Sequence, residues 1–278
     1  MSPSRDRTPA PGRGAVLLAA DGVRLRARHL PPAGGPRIAG GEDRGRGLGF
    51  VVAHGFTGSS ANPDVLGIAR GLRARGGVVS LDFRGHGGST GESTVGDLEV
   101  LDLAAAVSWA RLLGYHRVVP VGWSMGAAVA VRFAALNPGA VDAVVAVSGP
   151  SRWYYRGTRP MRLLHAAVAS RAGRRVLAHG MGARIAAEGW VPMPEPPDAL
   201  VPLIAPVPLL LVHGDSDHYF PLDHAYWLFR AARPPVQLWI EPGFGHAETA
   251  ATPALVERIA AWADGATGGS ARMPAAGS

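Results

Sequence analysis

The chain has no cysteine among its 278 residues, which excludes disulfide bonds, thiolate metal sites and a cysteine nucleophile. It also has no run of about 20 uncharged apolar residues, so we expect no stable membrane insertion. The opening segment Met1–Pro9 lacks the apolar core of a signal peptide, and we therefore expect a cytoplasmic protein. Hydrophobic residues make up 47% of the chain, enough to bury a sizeable core.

Lysine is absent too, so all 28 residues that carry a fixed positive charge are arginine, and the formal net charge is +7. No basic helix and no interleaving of basic with aromatic residues accompanies this charge, so we expect no nucleic-acid partner. The ten histidines lack the spacing of a metal site, and the glycine-rich turns match no dinucleotide or phosphate-binding fingerprint. We therefore expect neither a metal nor another cofactor.

The order of apolar runs indicates an α/β protein. Residues 15–29 are typical of a hairpin around Asp21-Gly22, and from Phe50 onward short apolar runs alternate with helical segments. Strands that are apolar on both faces are typical of a parallel sheet covered by helices on both sides. We expect one domain over residues 15–264, between disordered tails at residues 1–14 and 265–278.

Two finer expectations concern helices. The helix expected over residues 97–113 places four apolar side chains on one face, namely Leu98, Leu101, Ala105 and Trp109. Residues 149–206 interrupt the alternation of strands and helices, and we interpret them as an inserted cap. Its helices are expected at about residues 160–170 and 172–187.

The motif Gly122-Trp123-Ser124-Met125-Gly126 lies between a short apolar run and a helix of small residues. A strand, a sharp turn and a helix form the context in which Gly-x-Ser-x-Gly exposes its serine. A serine hydroxyl becomes a useful nucleophile when it is held beside a base and above a helix N-terminus. Ser124 is therefore the candidate nucleophile.

Three further motifs follow apolar runs, namely His54-Gly55-Phe56-Thr57-Gly58, His213-Gly214-Asp215-Ser216-Asp217 and Gly243-Phe244-Gly245-His246. A nucleophilic serine needs a base, and the base needs a carboxylate that holds its tautomer. His246 is the candidate base, and Asp215 and Asp217 compete as the carboxylate. The glycines of the first motif let its backbone approach a ligand closely.

Together, and in this chain order, the four motifs resemble those of the α/β-hydrolase superfamily over about residues 50–264. The resemblance implies an α/β-hydrolase fold, with a mostly parallel central sheet of about eight strands flanked by helices. It also implies that a short helical cap is inserted after the sixth strand. The segment Asp82–Ser89 resembles an architectural turn of the same family, in which Arg84 is braced by hydrogen bonds and His86 has no catalytic role.

The resemblance assigns roles to the candidate residues. Ser124 attacks a carbonyl carbon, His246 acts as the base, and Asp217 rather than Asp215 completes the triad. The backbone N–H groups of Phe56 and Met125 form the oxyanion hole. For the remaining histidines near these motifs we favour bracing or surface roles over direct chemistry; they are His54, His213 and His218.

The implied function is a serine hydrolase (EC 3.1.1, carboxylesterase or lipase-like) that cleaves a small-molecule acyl ester through an acyl-enzyme intermediate. A thioesterase, acyltransferase or amide or peptide hydrolase would use the same triad, and a non-catalytic ligand-binding module on this scaffold is a third alternative. Trp153 and Tyr154 in the cap are candidate substrate-binding residues, with packing of the cap onto the core as the equal alternative. The eight arginines of the cap either include groups that meet an anionic substrate or form a solvated face. The sequence does not indicate the oligomeric state.

Overall fold

The computed structural model of the chain describes residues 12–34 and 47–268. Its strands are β1 (Arg13–Leu18), β2 (Arg24–Leu30), β3 (Leu48–Ala53), β4 (Gly77–Leu81), β5 (Arg117–Trp123), β6 (Val144–Val147), β7 (Leu209–Gly214) and β8 (Val236–Glu241). They form one sheet in the order β1-β2-β4-β3-β5-β6-β7-β8. The pairs among β3 to β8 are parallel, whereas β2 pairs antiparallel with β1 and β4. The expected fold class, a mostly parallel sheet of eight strands, is confirmed.

Helices cover both faces of this sheet. They are α1 (Pro63–Leu72), α2 (Glu99–Leu112), α3 (Met125–Leu136), α4 (Arg159–Ala169), α5 (Arg171–Gly180), α6 (Pro197–Leu200), α7 (Leu222–Ala231), α8 (Ala247–Ala250) and α9 (Pro253–Gly268). One core cluster packs α2 and α3 against the sheet, and a second packs α1 and α9 against the opposite face. The strands β3 to β7 are buried along their length, as expected for a sheet covered on both sides.

Both ends of the domain extend beyond the expected limits. The first strand begins at Arg13, inside the stretch 1–14 that we expected to be disordered, because it pairs with β2 from Arg13↔His29 onward. The last helix continues to Gly268 rather than ending before residue 265, and Arg117 bonds the side chains of Asp264 and Thr267. The remaining parts of the two predicted tails, residues 1–11 and 269–278, lie outside the described residues.

The buried face of α2 is not the one that the apolar spacing predicts. Leu98 is exposed, and the buried apolar side chains are Leu103, Ala106, Val107 and Ala110. The same face carries two fully buried carboxylates, Glu99 and Asp102. Glu99 accepts hydrogen bonds from the residue 93–96 loop, and Asp102 pairs with Arg84 at 2.7 Å. These partners allow acidic residues to face the core, so a count of apolar residues selects the wrong side of the helix.

The cap lies between β6 and β7 and contains α4, α5 and α6. The second cap helix, α5, ends at Gly180 and not near residue 187. The N–H groups of Met181 and Ala183 both donate to the carbonyl of Leu177, and Gly182 adopts a positive φ of 65°, which stops the helix. The chain then returns to the core, where Ala183 pairs with His86 and Ile185 pairs with Ser93.

Candidate active site

Ser124 lies on a sharp turn between β5 and α3. Its backbone has φ 51° and ψ −114°, a conformation that serine rarely adopts. The residues two positions before and after Ser124 must be glycine, because a β-carbon at either would clash with the backbone. A β-carbon on Gly122 would lie 2.2 Å from the carbonyl oxygen of Gly126, and one on Gly126 would lie 2.1 Å from that of Ala53. The turn therefore holds the Ser124 hydroxyl away from the backbone at the N-terminus of α3.

The structure brings together the three side chains that the motifs single out. His246 Nε2 lies 2.9 Å from Ser124 Oγ, and His246 Nδ1 lies 2.8 Å from Asp217 Oδ2. Ser124 follows β5, Asp217 follows β7 and His246 follows β8, so all three lie at the carboxyl ends of parallel strands. An imidazole with one nitrogen on a hydroxyl and the other on a carboxylate can take a proton from that hydroxyl.

The two competing aspartates have different environments. The second oxygen of Asp217 accepts the backbone N–H groups of Tyr219 and Phe220 at 2.8 and 3.0 Å. Burial by itself would raise the pKa of Asp217, but the hydrogen bond and positive charge of His246 and the Phe220 N–H outweigh it, so the pKa is lowered. Asp215 is exposed and accepts the N–H of Gly243 at 2.7 Å, which is a turn contact without His246.

Two other histidines lie near this loop without contacting Ser124. His213 is buried, and its Nε2 donates to the carbonyl oxygen of Phe220 at 2.8 Å. Burial lowers the pKa of His213, which favours its neutral form. His218 is exposed and packs on the ring of Tyr219. These positions agree with the bracing and surface roles expected of the two residues.

The loop after β3 offers an unpaired backbone N–H beside Ser124. Within this loop, Gly55 N–H donates to Glu248 Oε1 at 2.5 Å, and Thr57 N–H donates to His86 Nε2 at 3.2 Å. Among the described residues, the N–H of Phe56 has no hydrogen-bond partner. The same holds for Met125 at the first position of α3, where helical N–H groups lack intrahelical partners.

Two buried histidines, His54 and His86, hold this loop by hydrogen bonds to its backbone. His54 Nδ1 donates to the carbonyl of Gly55 at 2.7 Å, and its Nε2 accepts the N–H of Phe83 at 3.1 Å. Burial and then the neighbouring His86 lower the pKa of His54 to about 3, so the ring stays neutral. His86 Nδ1 donates to the carbonyl of Arg84 at 2.9 Å, and burial lowers its pKa as well. Both rings therefore act as hydrogen-bonding braces.

A cavity of about 370 Å³ opens onto Ser124 between the sheet and the cap. Its apolar lining includes Phe56, Val95, Met125, Trp153, Tyr154, Tyr155, Met161, Leu164, Val168, Ile185, Trp190 and Phe220. Trp153 also bonds the carbonyl of Pro194 and contacts the ring of Trp190 at 5.0 Å, so it both lines the cavity and packs the cap. Tyr154 is 53% exposed and lies at the rim.

The cap arginines that line the cavity are already engaged or lie at its edge. Arg152 pairs with Asp198 at 2.7 Å and stacks on the ring of Trp227. Arg174 donates to the carbonyl groups of residues 168 and 169 at the end of α4. Such contacts fit a solvated structural face better than a site for an anionic substrate group. Within the described residues, no group of three or more histidine or acidic side chains is placed to hold a metal ion.

Sequence reasoning missed the anchors of the loop after β3. Glu248 was not singled out, although a carboxylate two residues after a candidate base histidine is a visible signal. Trp190, which bonds the carbonyl of Thr94 and contacts Trp153 and Tyr154, was missed as well. Its position in a proline- and glycine-rich segment has no periodicity from which a contact could be inferred.

Among the described residues, no helix has both the length and the apolar content needed to cross a bilayer. A search of curated proteins finds no significant match to this chain. The family model described as the alpha/beta hydrolase fold matches residues 50–167.

Solved structures resemble the whole fold. An esterase from Pyrococcus furiosus, Pf2001, has 22% sequence identity and a TM-score of 0.68, with 95% of this chain and 98% of that chain covered. The α/β hydrolase GrgF from Penicillium sp. sh18 has 18% identity and a TM-score of 0.69, with 93% and 99% covered. The esterase domain of a Rhodothermus marinus protein has 22% identity and a TM-score of 0.62, with 91% and 97% covered. The family match, the strand order and these likenesses agree, and the chain has the α/β-hydrolase fold.

Proposed function

We propose that the protein is a serine hydrolase that cleaves carboxylic esters (EC 3.1.1) by a triad of Ser124, His246 and Asp217. The observation that carries this proposal is the pair of contacts made by His246, at 2.9 Å to Ser124 Oγ and 2.8 Å to Asp217 Oδ2. The esterase names of two similar structures support it as well.

In the first half of the reaction, Ser124 Oγ attacks the carbonyl carbon of the ester while His246 Nε2 takes the hydroxyl proton. Asp217 holds the Nδ1–H tautomer of His246 and stabilises the imidazolium that forms. The tetrahedral intermediate then expels the alcohol, which receives the proton from Nε2. In the second half a water molecule repeats these steps on the acyl-enzyme and releases the acid and the free serine.

The negative oxygen of each tetrahedral intermediate needs hydrogen-bond donors that are already in place. We assign these donors to the N–H groups of Phe56 and Met125, neither of which has a hydrogen-bond partner among the described residues. Donors that serve no partner in the resting protein lose no hydrogen bond when the oxygen becomes charged. This supports their assignment as the oxyanion hole.

The acyl group is proposed to occupy the cavity under the cap, where Trp153 and Tyr154 contact it. A cavity of about 370 Å³ with an apolar lining suits a small-molecule ester with a hydrophobic acyl chain. The cytoplasmic location and the lack of a nucleic-acid partner stay predictions from the sequence.

The test is labelling with a fluorophosphonate, followed by intact-mass and peptide mapping, with p-nitrophenyl acetate and longer acyl esters assayed alongside. We expect one adduct, on Ser124, and turnover of the esters. Ser124→Ala should abolish the adduct and lower kcat by about 10⁴–10⁶-fold, as triad removal does elsewhere. A folded wild-type protein that gives no adduct would contradict the proposal and favour a non-catalytic binding module.

A further inference from the structure

Glu248 has no part in the reaction proposed above, yet its side chain contacts Gly55, which lies next to Ser124. The residue follows His246 by two positions, in the single-turn helix α8. Its side chain is partly buried, and Oε1 accepts a 2.5 Å hydrogen bond from the N–H of Gly55. Burial raises the pKa of this carboxyl, although the Gly55 hydrogen bond acts in the opposite direction. Burying a carboxylate is unfavourable unless it has hydrogen-bond partners, and the Gly55 N–H is such a partner for Glu248.

Gly55 is wedged between Glu248 and Ser124. A β-carbon on residue 55 would lie 3.2 Å from Glu248 Oε2 and 3.2 Å from Ser124 Cβ, closer than such atoms normally approach. A side chain at residue 55 would therefore fit only if Glu248 or Ser124 shifted by a few tenths of an ångström. Glycine has few conformational preferences of its own, so contacts made by its two peptide groups limit the path of the backbone here.

Those contacts hold the two peptide groups on either side of the Gly55 α-carbon. Glu248 holds the N–H of the first peptide. The carbonyl of the second peptide accepts from His54 Nδ1 at 2.7 Å and from Gly58 N–H at 3.0 Å. This second peptide also contains the N–H of Phe56. Since a trans peptide is planar, fixing its carbonyl on one side directs the Phe56 N–H to the other side.

We propose that Glu248 is a positioning residue for the oxyanion hole. By accepting the Gly55 N–H it fixes the first of the two peptides, and so keeps the Phe56 N–H aimed at the oxygen that becomes negative. His54 and Gly58 hold the second peptide, and Glu248 adds the constraint on the first, so that the two peptides are held relative to each other. The inference rests on the proposed function and adds a residue that acts through the loop.

Two substitutions separate this role from simple stabilisation. Glu248→Ala removes the acceptor, whereas Glu248→Gln keeps an amide oxygen that can accept the same N–H. For p-nitrophenyl esters we expect Glu248→Ala to lower kcat by about 10–100-fold with KM nearly unchanged, since complete loss of one oxyanion donor costs about 10²–10³-fold. Glu248→Gln should recover most of this loss.

A second readout follows the oxyanion directly. A trifluoromethyl ketone forms a tetrahedral adduct with a catalytic serine, and the adduct oxygen occupies the same hole. Glu248→Ala should weaken this inhibitor by about the factor by which it lowers kcat, because both report transition-state stabilisation. The KM for the substrate should not follow.

Asp142→Ala is the matched control. Asp142 also accepts a backbone N–H, that of Val118 at 2.7 Å, but at the amino end of β5 rather than at the carboxyl end beside Ser124. Its loss should lower the melting temperature and leave kcat and inhibitor affinity as in the wild type.

The proposal is overturned if folded Glu248→Ala retains wild-type kcat and inhibitor affinity, or if Glu248→Gln is as impaired as Glu248→Ala. Should Glu248→Ala not fold, Glu248→Asp replaces it, because it withdraws the carboxylate by one methylene; its kcat should then fall below that of Glu248→Gln, and equality would again overturn the proposal. Failure of the proposed function is distinguishable, since the wild-type protein would then give no fluorophosphonate adduct on Ser124.

Discussion

The loop after β3 and the cap line the same cavity, but different forces hold them. In residues 54–58, one carboxylate and two buried imidazoles bond the N–H and carbonyl of Gly55 and the N–H of Thr57. The cap wall is built mainly of rings: Trp190 lies 5.0 Å from Trp153 and 5.2 Å from Tyr154, and each of the two indoles adds a single hydrogen bond to a backbone carbonyl. Hydrogen bonds fix direction, whereas ring contacts tolerate changes of shape. We therefore expect the side of the cavity next to Ser124 to keep its shape, and call it the fixed side; we expect the side formed by the cap to adapt, and call it the variable side.

The sharpest test of the fixed side is the pair of aspartates. Asp217→Asn should lower kcat by about 10⁴-fold for every ester, because the amide no longer selects the tautomer of His246 that can act as base. Asp215→Asn should change kcat only slightly, since Asp215 contacts the Gly243 N–H and not His246. Steady-state kinetics with short and long p-nitrophenyl esters measure both. The reverse order would move the acid to Asp215.

Acid should weaken the fixed side through its buried histidines. The pKa of His54 is lowered from 6.5 to about 3, so between these values the unfolded chain binds a proton that the folded protein does not. The free energy of unfolding therefore falls as the pH falls, by about 2 kcal/mol at pH 5 for this histidine. Chemical denaturation across pH 7 to pH 4 measures the slope.

A pair of variants assigns that slope. His54→Gln should reduce the pH dependence by about 1.4 kcal/mol per pH unit, the value for one proton, whatever it does to stability at pH 7. His218→Gln, the same substitution at an exposed histidine, is the matched control. Equal slopes in His54→Gln and wild type would show that His54 is not held neutral.

The smallest effect is expected on the variable side. Tyr154→Ala should lower kcat/KM for a long acyl ester by about tenfold, since a half-exposed ring contributes about 1.4 kcal/mol of apolar contact. The value for p-nitrophenyl acetate should stay nearly constant, because a short acyl group does not reach the rim. Acyl-length profiles of the two proteins make the comparison, and a uniform loss at all lengths would contradict the assignment.

The sequence predicted the parts of the molecule in which a conformation demands one residue type. The glycines around Ser124 have no space for a β-carbon, and a helix of small residues, α3 (Met125–Leu136), follows the turn as predicted. The candidate residues follow strands β3, β5, β7 and β8, as the apolar run before each motif predicted. Their catalytic roles stay predictions that the kinetics will test.

Long-range partners account for what the sequence did not predict. The buried face of α2 was misassigned because its two acidic residues have partners outside the helix: Glu99 accepts hydrogen bonds from residues 93–96, and Asp102 pairs with Arg84, 18 residues away. The end of α5 depends on how the chain returns to His86 and Ser93. The position of Glu248 near the candidate base was visible in the sequence, but its partner Gly55 lies 193 residues away, and no local pattern identifies that partner.

Two residues of the candidate triad, Ser124 and His246, follow strands that occupy different positions in the sheet. Ser124 follows β5, which pairs with strands on both sides, whereas His246 follows β8, which lies at one end of the strand order and pairs only with β7 among the described strands. Terminal strands open locally at lower free energy than central ones. We therefore expect Ser124 to be held more firmly than His246. Partial unfolding by heat or denaturant would first separate His246 from Ser124, while most of the fold is still intact.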